Sequence, residues 1–455
     1  MATINRSQDP SDIIIDRAVI TSDRLSAFYD ITNNVVEISI YESLHRLEIF
    51  GDILILDDAA LVESIDFQGQ ENLRLSLRFP DENAKLFTRD FICTAIIATA
   101  PGTNDQNQTV RIALQDVDSF KNNLICVNKK YDGNPRQIIS QIMTDNFRGK
   151  KLFTNDNIFQ GAMRTIIPNW TPYQAMKWVA QRSTSPSGAP FFCYSVHGDR
   201  HTRFFDLETM LGQAQTGATY RYSTSLANEM ETLSRQQQSY LIKGFKTGVQ
   251  ENTAIQVQSG NVGAQYGFLD TQNFYDNSFK FDITKVFQSM LRRTKIVTDR
   301  KSPVYDARFK VEDKTMHSYR SRNMMQIGTT SIYNDIPGFF EDVTPEHHST
   351  KAISKALRGF LSKSEMQITV SGRNFFYPGD FLTSSIGSIV NLEFMDTNPI
   401  YRGGDHTGHM DMKRSGQYLM SACRHLIKKR GPDAKVTTIA KVVKLSNTEG
   451  TARLR

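Results

Sequence analysis

Period-two alternation is the feature that most limits what this chain can fold into. Leu73, Leu75, Leu77 and Phe79 alternate with Arg74, Ser76 and Arg78, and Pro80-Asp81 ends the run. Such a pattern specifies a strand with one buried and one wet face. Val36, Ile38 and Ile40 share a face within 35–43, and a second run at 48–58 follows, with Gly51 expected as a bulge or bend. Ile13 to Ile15, Phe91 to Ala98 and Val110 to Leu114 complete a series of short strands separated by turn signals. That spacing belongs to a barrel or a sandwich.

From 123 the pattern changes. Asn134-Pro135 opens a helix with Ile138, Ile139, Ile142 and Met143 on one stripe, and Thr171-Pro172 opens a second with Ala175, Trp178 and Val179. The second start pairs a hydroxyl cap with proline at the first helical position. Phe191 to Val196, the turn His197-Gly198-Asp199-Arg200 and Thr202 to Leu207 then predict a hairpin, so 123–210 reads as an α/β insert. Residues 211–350 read as a connecting segment, with return strands around Ile242 and Phe245 and long loops over 301–350. Ser349 or Thr350 is expected to cap a helix whose stripe is Ile353, Ala356, Leu357, Phe360 and Leu361, with Lys351, Lys355, Arg358 and Lys363 off it.

Strand signals return in 365–445. Ser371-Gly372-Arg373-Asn374 and Tyr377-Pro378-Gly379-Asp380 read as turns, with Gly372 and Gly379 suited to positive φ and Pro378 pre-setting the bend. Ser415-Gly416 launches a run in which Tyr418 and Met420 face one way and Leu419 the other. The four expected units are 1–122, 123–210, 211–350 and 351–455, which 455 residues can supply.

Charge is unevenly placed. Residues 401–455 carry 12 Lys and Arg against 4 Asp and Glu, which leaves a net −2 on the first 400 residues of a chain whose total is +6. Lys428, Lys429 and Arg430 are the densest patch and precede Gly431-Pro432, so they are candidates for docking an acidic partner at an exposed rim. Neither a recognition helix nor aromatic interleaving accompanies them, which argues against sequence-specific DNA reading. No run approaches the ~18–20 apolar residues of a membrane helix, and the polar Met1–Pro10 lacks a signal-peptide core. The cysteines at 93, 126, 193 and 423 form no metal-ligand spacing and read as buried apolar groups in a reducing compartment.

Candidate chemistry is sparse. Asp405, His406, His409 and Asp411 offer ligand types for zinc or iron, in a metal-dependent hydrolase reading, but Arg402-Gly403-Gly404 marks the segment as a polar loop. His197 and His201 flank what reads as an exposed turn, and Glu346-His347-His348 as a helix cap region. The chain has no phosphate-binding loop, and Ser371-Gly372 lacks the strand–turn–helix setting of a nucleophile elbow. Asp57 and Asp58 are adjacent on a strand, point to opposite faces and so cannot work together as acid and base; ending the strand is the simpler role.

Three pieces carry a resemblance. They are Ile40-Tyr41-Glu42-Ser43 with Gly51 to Asp58, the insert hairpin ending Arg203-Phe204-Phe205-Asp206-Leu207, and Tyr377-Pro378-Gly379-Asp380 followed by Ser415 to Met420 and Arg424-His425. In this order they resemble the baseplate hub proteins of contractile-tailed phages and the related type VI secretion spikes. The resemblance implies a mainly β chain with an α/β insert and two antiparallel tail-tube-like β-barrels. It implies a homotrimer forming a pseudo-sixfold ring between a hexameric tail tube and a trimeric central spike, amid other baseplate proteins. DNA would pass its channel without sequence-specific binding. Such a protein belongs to the virion tail baseplate, assembled in the host cytoplasm, with neither enzymatic activity nor cofactor. The hub of a secretion system or contractile bacteriocin is the alternative it leaves open.

Overall fold

In a computed structural model the N-terminal alternation builds strands β1 (Asp12–Ser22), β2 (Ala27–Asp30), β3 (Val35–Ser43), β4 (Phe50–Asp57), β5 (Glu71–Arg78), β6 (Phe87–Pro101) and β7 (Gln108–Asp116). The structure describes residues 9–444, apart from several short loops and the stretches 223–232, 281–289, 291–308, 329–344, 377–385 and 396–410. The strands pair antiparallel in the order β3-β4-β7-β6-β5-β1, with β2 on the far side of β1. Leu73, Leu75 and Leu77 are buried while Arg74 and Arg78 are exposed and pair with Asp90 and Asp16. Gly51 is not a bulge. It sits in register opposite Ile40, and a Cβ there would fall 2.3 Å from the Ser39 carbonyl oxygen, so the position needs glycine for close strand approach. Asp57 ends β4 and also accepts from the Leu61 and Val62 amides, at 2.7 and 3.4 Å.

The insert follows, with β8 (Val127–Gly133), β9 (Leu152–Thr154), β10 (Met163–Trp170), β11 (Phe191–Ser195) and β12 (Thr202–Asp206). Its strands form two small sheets, β10-β8 and β11-β12-β9, separate from the main sheet. The helix Pro135–Asn146 starts with a capping box between Asn134 and Gln137, and Pro172–Arg182 starts with the Thr171 hydroxyl accepting from the Gln174 amide. Both helices bury their stripes in a core of Ile138, Ile142, Met176, Val179, Phe191 and Phe204. Cys126, expected inside, is exposed, because it lies just past the end of the helix Val117–Leu124; Cys93, Cys193 and Cys423 are buried.

The connecting segment supplies β13 (Thr219–Tyr222), β14 (Ile242–Gln250), β15 (Gln265–Asp270), β16 (Tyr275–Lys280), β17 (Lys310–Val311), β18 (Lys314–Thr315) and β19 (Asn323–Gly328). Strands β15, β16 and β19 make a sheet of their own. The next helix runs Pro345–Phe360, starting ahead of the expected Ser349 cap because Pro345 can open a first turn. Arg358, expected off the buried stripe, is drawn in: its guanidinium donates to the carbonyls of Phe191 and Ala180 and lies 4.7 Å from the Phe192 ring. Burial pushes it down to about 10.

The C-terminal strands β20 (Ser364–Ser371), β21 (Ile389–Phe394), β22 (Gly416–Arg430) and β23 (Asp433–Lys444) close the architecture. β22 and β23 form one long hairpin. Gly431, at φ 61, opens its two-residue turn, and Pro432 fixes the second position at negative φ, as a II′ turn requires. The far half of this hairpin pairs with β3 and β1, closing a ring β3-β4-β7-β6-β5-β1-β23-β22. The near half pairs with β21 and β20. A second ring, β13-β21-β22-β23-β20-β14, is joined at its ends by a parallel bridge between Arg221 and Leu241. Ile427, Ala434 and Val436 pack with the N-terminal strands, whereas Leu419, Met420, Ala440 and Val442 pack in a separate core. The second ring is not antiparallel throughout: β13 runs parallel to β21, an orientation that needs a crossover between the two strands, and the long stretch of chain between them, which carries β14 to β20, allows it.

Gly372 does not take positive φ, and it leads from β20 into the helical turn Arg373–Phe376, not into a strand. A Cβ there would lie 2.4 Å from Val436 Cγ2. Val436 is β-branched and fully buried, so it has little room to yield. Gly372→Ala should cost roughly 1–3 kcal/mol as an overpacking change. Urea unfolding checks this, and an unchanged midpoint would show that the turn accommodates a methyl group.

Candidate functional site

The shared hairpin, the β3 strand and the insert hairpin converge on one buried polar cluster. Glu42 is the penultimate residue of β3, His425 lies in β22 opposite Ile40, and His197 follows β11. All three are buried. The Glu42 carboxylate accepts from the His197 amide at 2.8 Å and also contacts His197 Nδ1. His425 Nε2 lies 3.6 Å from the same carboxylate oxygen, and His425 Nδ1 lies 2.9 Å from the Thr438 hydroxyl. The two imidazole rings are 4.3 Å apart. Burial alone would raise Glu42, but the charge and hydrogen bonds of His197 and His425 hold it well below the usual carboxylate range. Burial, then the His197 charge, lower His425.

A second polar seam locks the insert to the first ring. Arg89, on β6, is bonded to Asp116 at 2.8 Å and donates to the carbonyls of Val196, His197 and Asp199. Asp118 receives both nitrogens of Arg200, at 2.8 and 3.1 Å, with Lys150 at 3.9 Å. Burial would raise Asp118, yet Arg200, Lys150 and Arg89 together hold it below its ordinary value. Lys150 is lowered by burial and donates to the Tyr173 hydroxyl at 2.8 Å.

The residues singled out from the sequence are scattered. Asp405, His406 and His409 lie outside the described residues, as do Pro378, Gly379 and Asp380. Asp411 is paired with Arg414 at 3.1 Å and also accepts from its amide, so it serves as the cap of a turn. Ser415 ties that turn to Phe394, donating to its carbonyl and accepting from its amide. Gly416 starts β22 at φ 142, and Tyr418 donates to the Arg414 carbonyl at 2.6 Å. Tyr418, Leu419 and Met420 are all buried, so both faces of β22 are covered here. In the basic patch Lys428 and Arg430 are exposed, but Lys429 donates to the carbonyls of Thr32 and Asn33 at 2.7 and 3.2 Å. Lys428 lies 3.5 Å from Glu37. His197, expected on an exposed turn, is buried because Glu42 draws it inward, while His201 on the same turn stays partly exposed. In the sequence Glu42 and His425 stand out only through the resemblance; the signal that could find them is a polar residue on the inward phase of an apolar strand.

No protein-family model matches the chain, and no curated protein matches it in sequence. Solved structures do match. A 43 kDa tail protein of prophage MuSo2 from Shewanella oneidensis aligns over 94% of this chain and 98% of its own, with a TM-score of 0.51 and 10% identity. The tail protein from Neisseria meningitidis MC58 aligns over 94% and 96%, with a TM-score of 0.50 and 10% identity. The protein therefore has the fold of phage tail proteins along essentially its whole length, and it is mostly β. Among the described residues no helix is long and apolar enough to cross a membrane.

Proposed function

We propose that the protein is the structural hub of a phage tail baseplate: a homotrimeric ring that adapts a hexameric tail tube to a trimeric central spike and encloses a channel for DNA. The observation that carries this reading is the pair of rings sharing β22 and β23. A chain with two ring-like units turns three copies into six, which is what a threefold-to-sixfold adapter needs. In this reading residues 1–122 form most of the first tube-like barrel, 123–210 the insert, 211–350 the connecting segment, which lends β13 and β14 to the second ring, and 351–455 the rest of the second barrel, with the long hairpin spanning both.

The surface chemistry supports the assignment. Arg74 and Arg78, each paired with an aspartate, leave a wet strand face that is nearly neutral. A lumen of that kind lets a duplex slide, whereas unpaired cations would each add salt-dependent affinity. We place Lys428 and Arg430 on the partner-facing rim, where neighbouring baseplate proteins dock. The free end of β6, from Ala95 to Pro101, is exposed and uncharged, with Ile97 at 57% exposure, and suits contact with an adjacent subunit. Assembly in the host cytoplasm, a tube and a spike as partners, and a structural rather than enzymatic role complete the proposal. The test is mass in solution. Light scattering or native mass spectrometry should give three times the 51.7 kDa chain mass, with pseudo-sixfold end views in electron micrographs. A monomer at every concentration, or a twofold particle, would overturn the reading.

A further inference from the structure

We propose that Glu42, His197 and His425 form a structural site for a divalent transition ion of the zinc class, fastening the insert to the joint between the two rings. The three residues come from positions far apart in the chain, and one donor atom from each lies within 4.8 Å of the others. Their identities, two imidazoles and one carboxylate, are the donor set such ions take. Glu42 is wholly enclosed, and while its Oε1 receives the His197 amide, its Oε2 is buried with no hydrogen-bond partner. An enclosed carboxylate oxygen without a partner is costly, and a bound cation would remove that cost.

The spacing agrees. His425 Nε2 and Glu42 Oε1 are 3.6 Å apart. Two ligands held at about 2.0–2.1 Å from one tetrahedral ion sit about 3.3 Å from each other. The outer support is also present, because the Thr438 hydroxyl occupies His425 Nδ1 and leaves Nε2 turned towards the carboxylate. Two neutral imidazoles and one carboxylate leave a dication only partly neutralised, so a water or a further protein group would complete the shell. Burial on all sides means that the ion enters as the chain folds and is held until it unfolds.

The experiment uses untagged full-length protein expressed with zinc in the medium. Mass spectrometry of the metal content should find about one divalent transition ion per chain, resistant to chelator until the protein is unfolded. Refolding with Co(II) in place of zinc should give visible d–d bands. Glu42→Gln and His425→Gln should lose both signals, whereas His201→Gln, on the same turn as His197 but partly exposed, should keep them. Folded wild-type protein holding less than about a tenth of an ion per chain and taking up no Co(II) on refolding would overturn the site. So would loss of the ion in His201→Gln with retention in His425→Gln. If the Glu42 and His425 variants fail to fold, the wild-type content and the Co(II) spectrum decide alone. Neither signal depends on the oligomeric state, so failure here leaves the hub reading standing.

Discussion

Arg89→Met should destabilise the protein by roughly 3–5 kcal/mol, the cost of removing one partner from a buried ion pair. Arg89 and Asp116 are both buried, with side chains 8% and 6% exposed, so neither charge has water to fall back on. The same guanidinium also serves three carbonyls of the insert turn, at Val196, His197 and Asp199. Its loss therefore strands acceptors on both sides of the seam between the first ring and the insert. Both tryptophans, Trp170 and Trp178, lie in the insert, so their fluorescence reports that unit, while far-UV circular dichroism reports mainly the sheets. In urea the fluorescence transition of the variant should precede the sheet transition, where the wild type shows the two together. Adding Asp116→Asn should recover part of the loss, because asparagine keeps the cap on the Asp118 amide and carries no stranded charge. A loss below about 1 kcal/mol, the scale of an exposed pair, would show that water reaches the seam.

The strands were legible wherever one face meets water. Leu73, Leu75 and Leu77 face the core and Arg74 and Arg78 face out, so period two is visible in the letters themselves. Helix starts at Asn134-Pro135 and Thr171-Pro172 were legible for a similar reason, since cap and proline are local requirements. The shared hairpin was not. From Gly416 to Ser421 every residue is buried, and a run covered on both faces shows that a strand exists without showing which strands flank it. Its pairing with β3 joins residues nearly four hundred positions apart, as at Ile427 opposite Ile38, and no local pattern carries that information.

The buried cluster was half legible. Glu42 continues the inward phase of Ile38 and Ile40, and His425 stands between Cys423 and Ile427 on the inward phase of β22. A titratable group in a buried phase must have a partner, so each position announced a contact without naming it. His197 gave no such sign. His-Gly-Asp-Arg has the composition of an exposed turn, and its burial depends on Glu42, 155 residues away. At Gly51 and Gly372 the letters suggest a backbone irregularity, and at both another part of the chain comes too close for a methyl group.

Leu426→Pro should abolish the fold of both rings together. Leu426 pairs with Ser39 of β3 on one side and Thr437 of β23 on the other, so it lies in the central part of the hairpin. Proline removes the amide donor, and its ring cannot lie flat between two neighbours. The unmet acceptor and the distortion together cost roughly 3 kcal/mol or more. Much of the expected effect comes from topology, since the first ring closes through β22 and β23 and the second passes through the same pair. A chain whose two rings had separate strands would lose one and keep the other, giving an unfolding curve with two steps. Here a single transition at a sharply lower urea midpoint, or insoluble protein, is expected. Leu426→Ala is the control, because it trims a partly exposed side chain and keeps the amide; it should remain soluble and folded. A soluble Leu426→Pro protein that keeps half of its sheet signal, with one cooperative step intact, would mean that the hairpin belongs energetically to one ring. The two-ring unit proposed as the basis of the adapter would then be two independent modules joined by a strand.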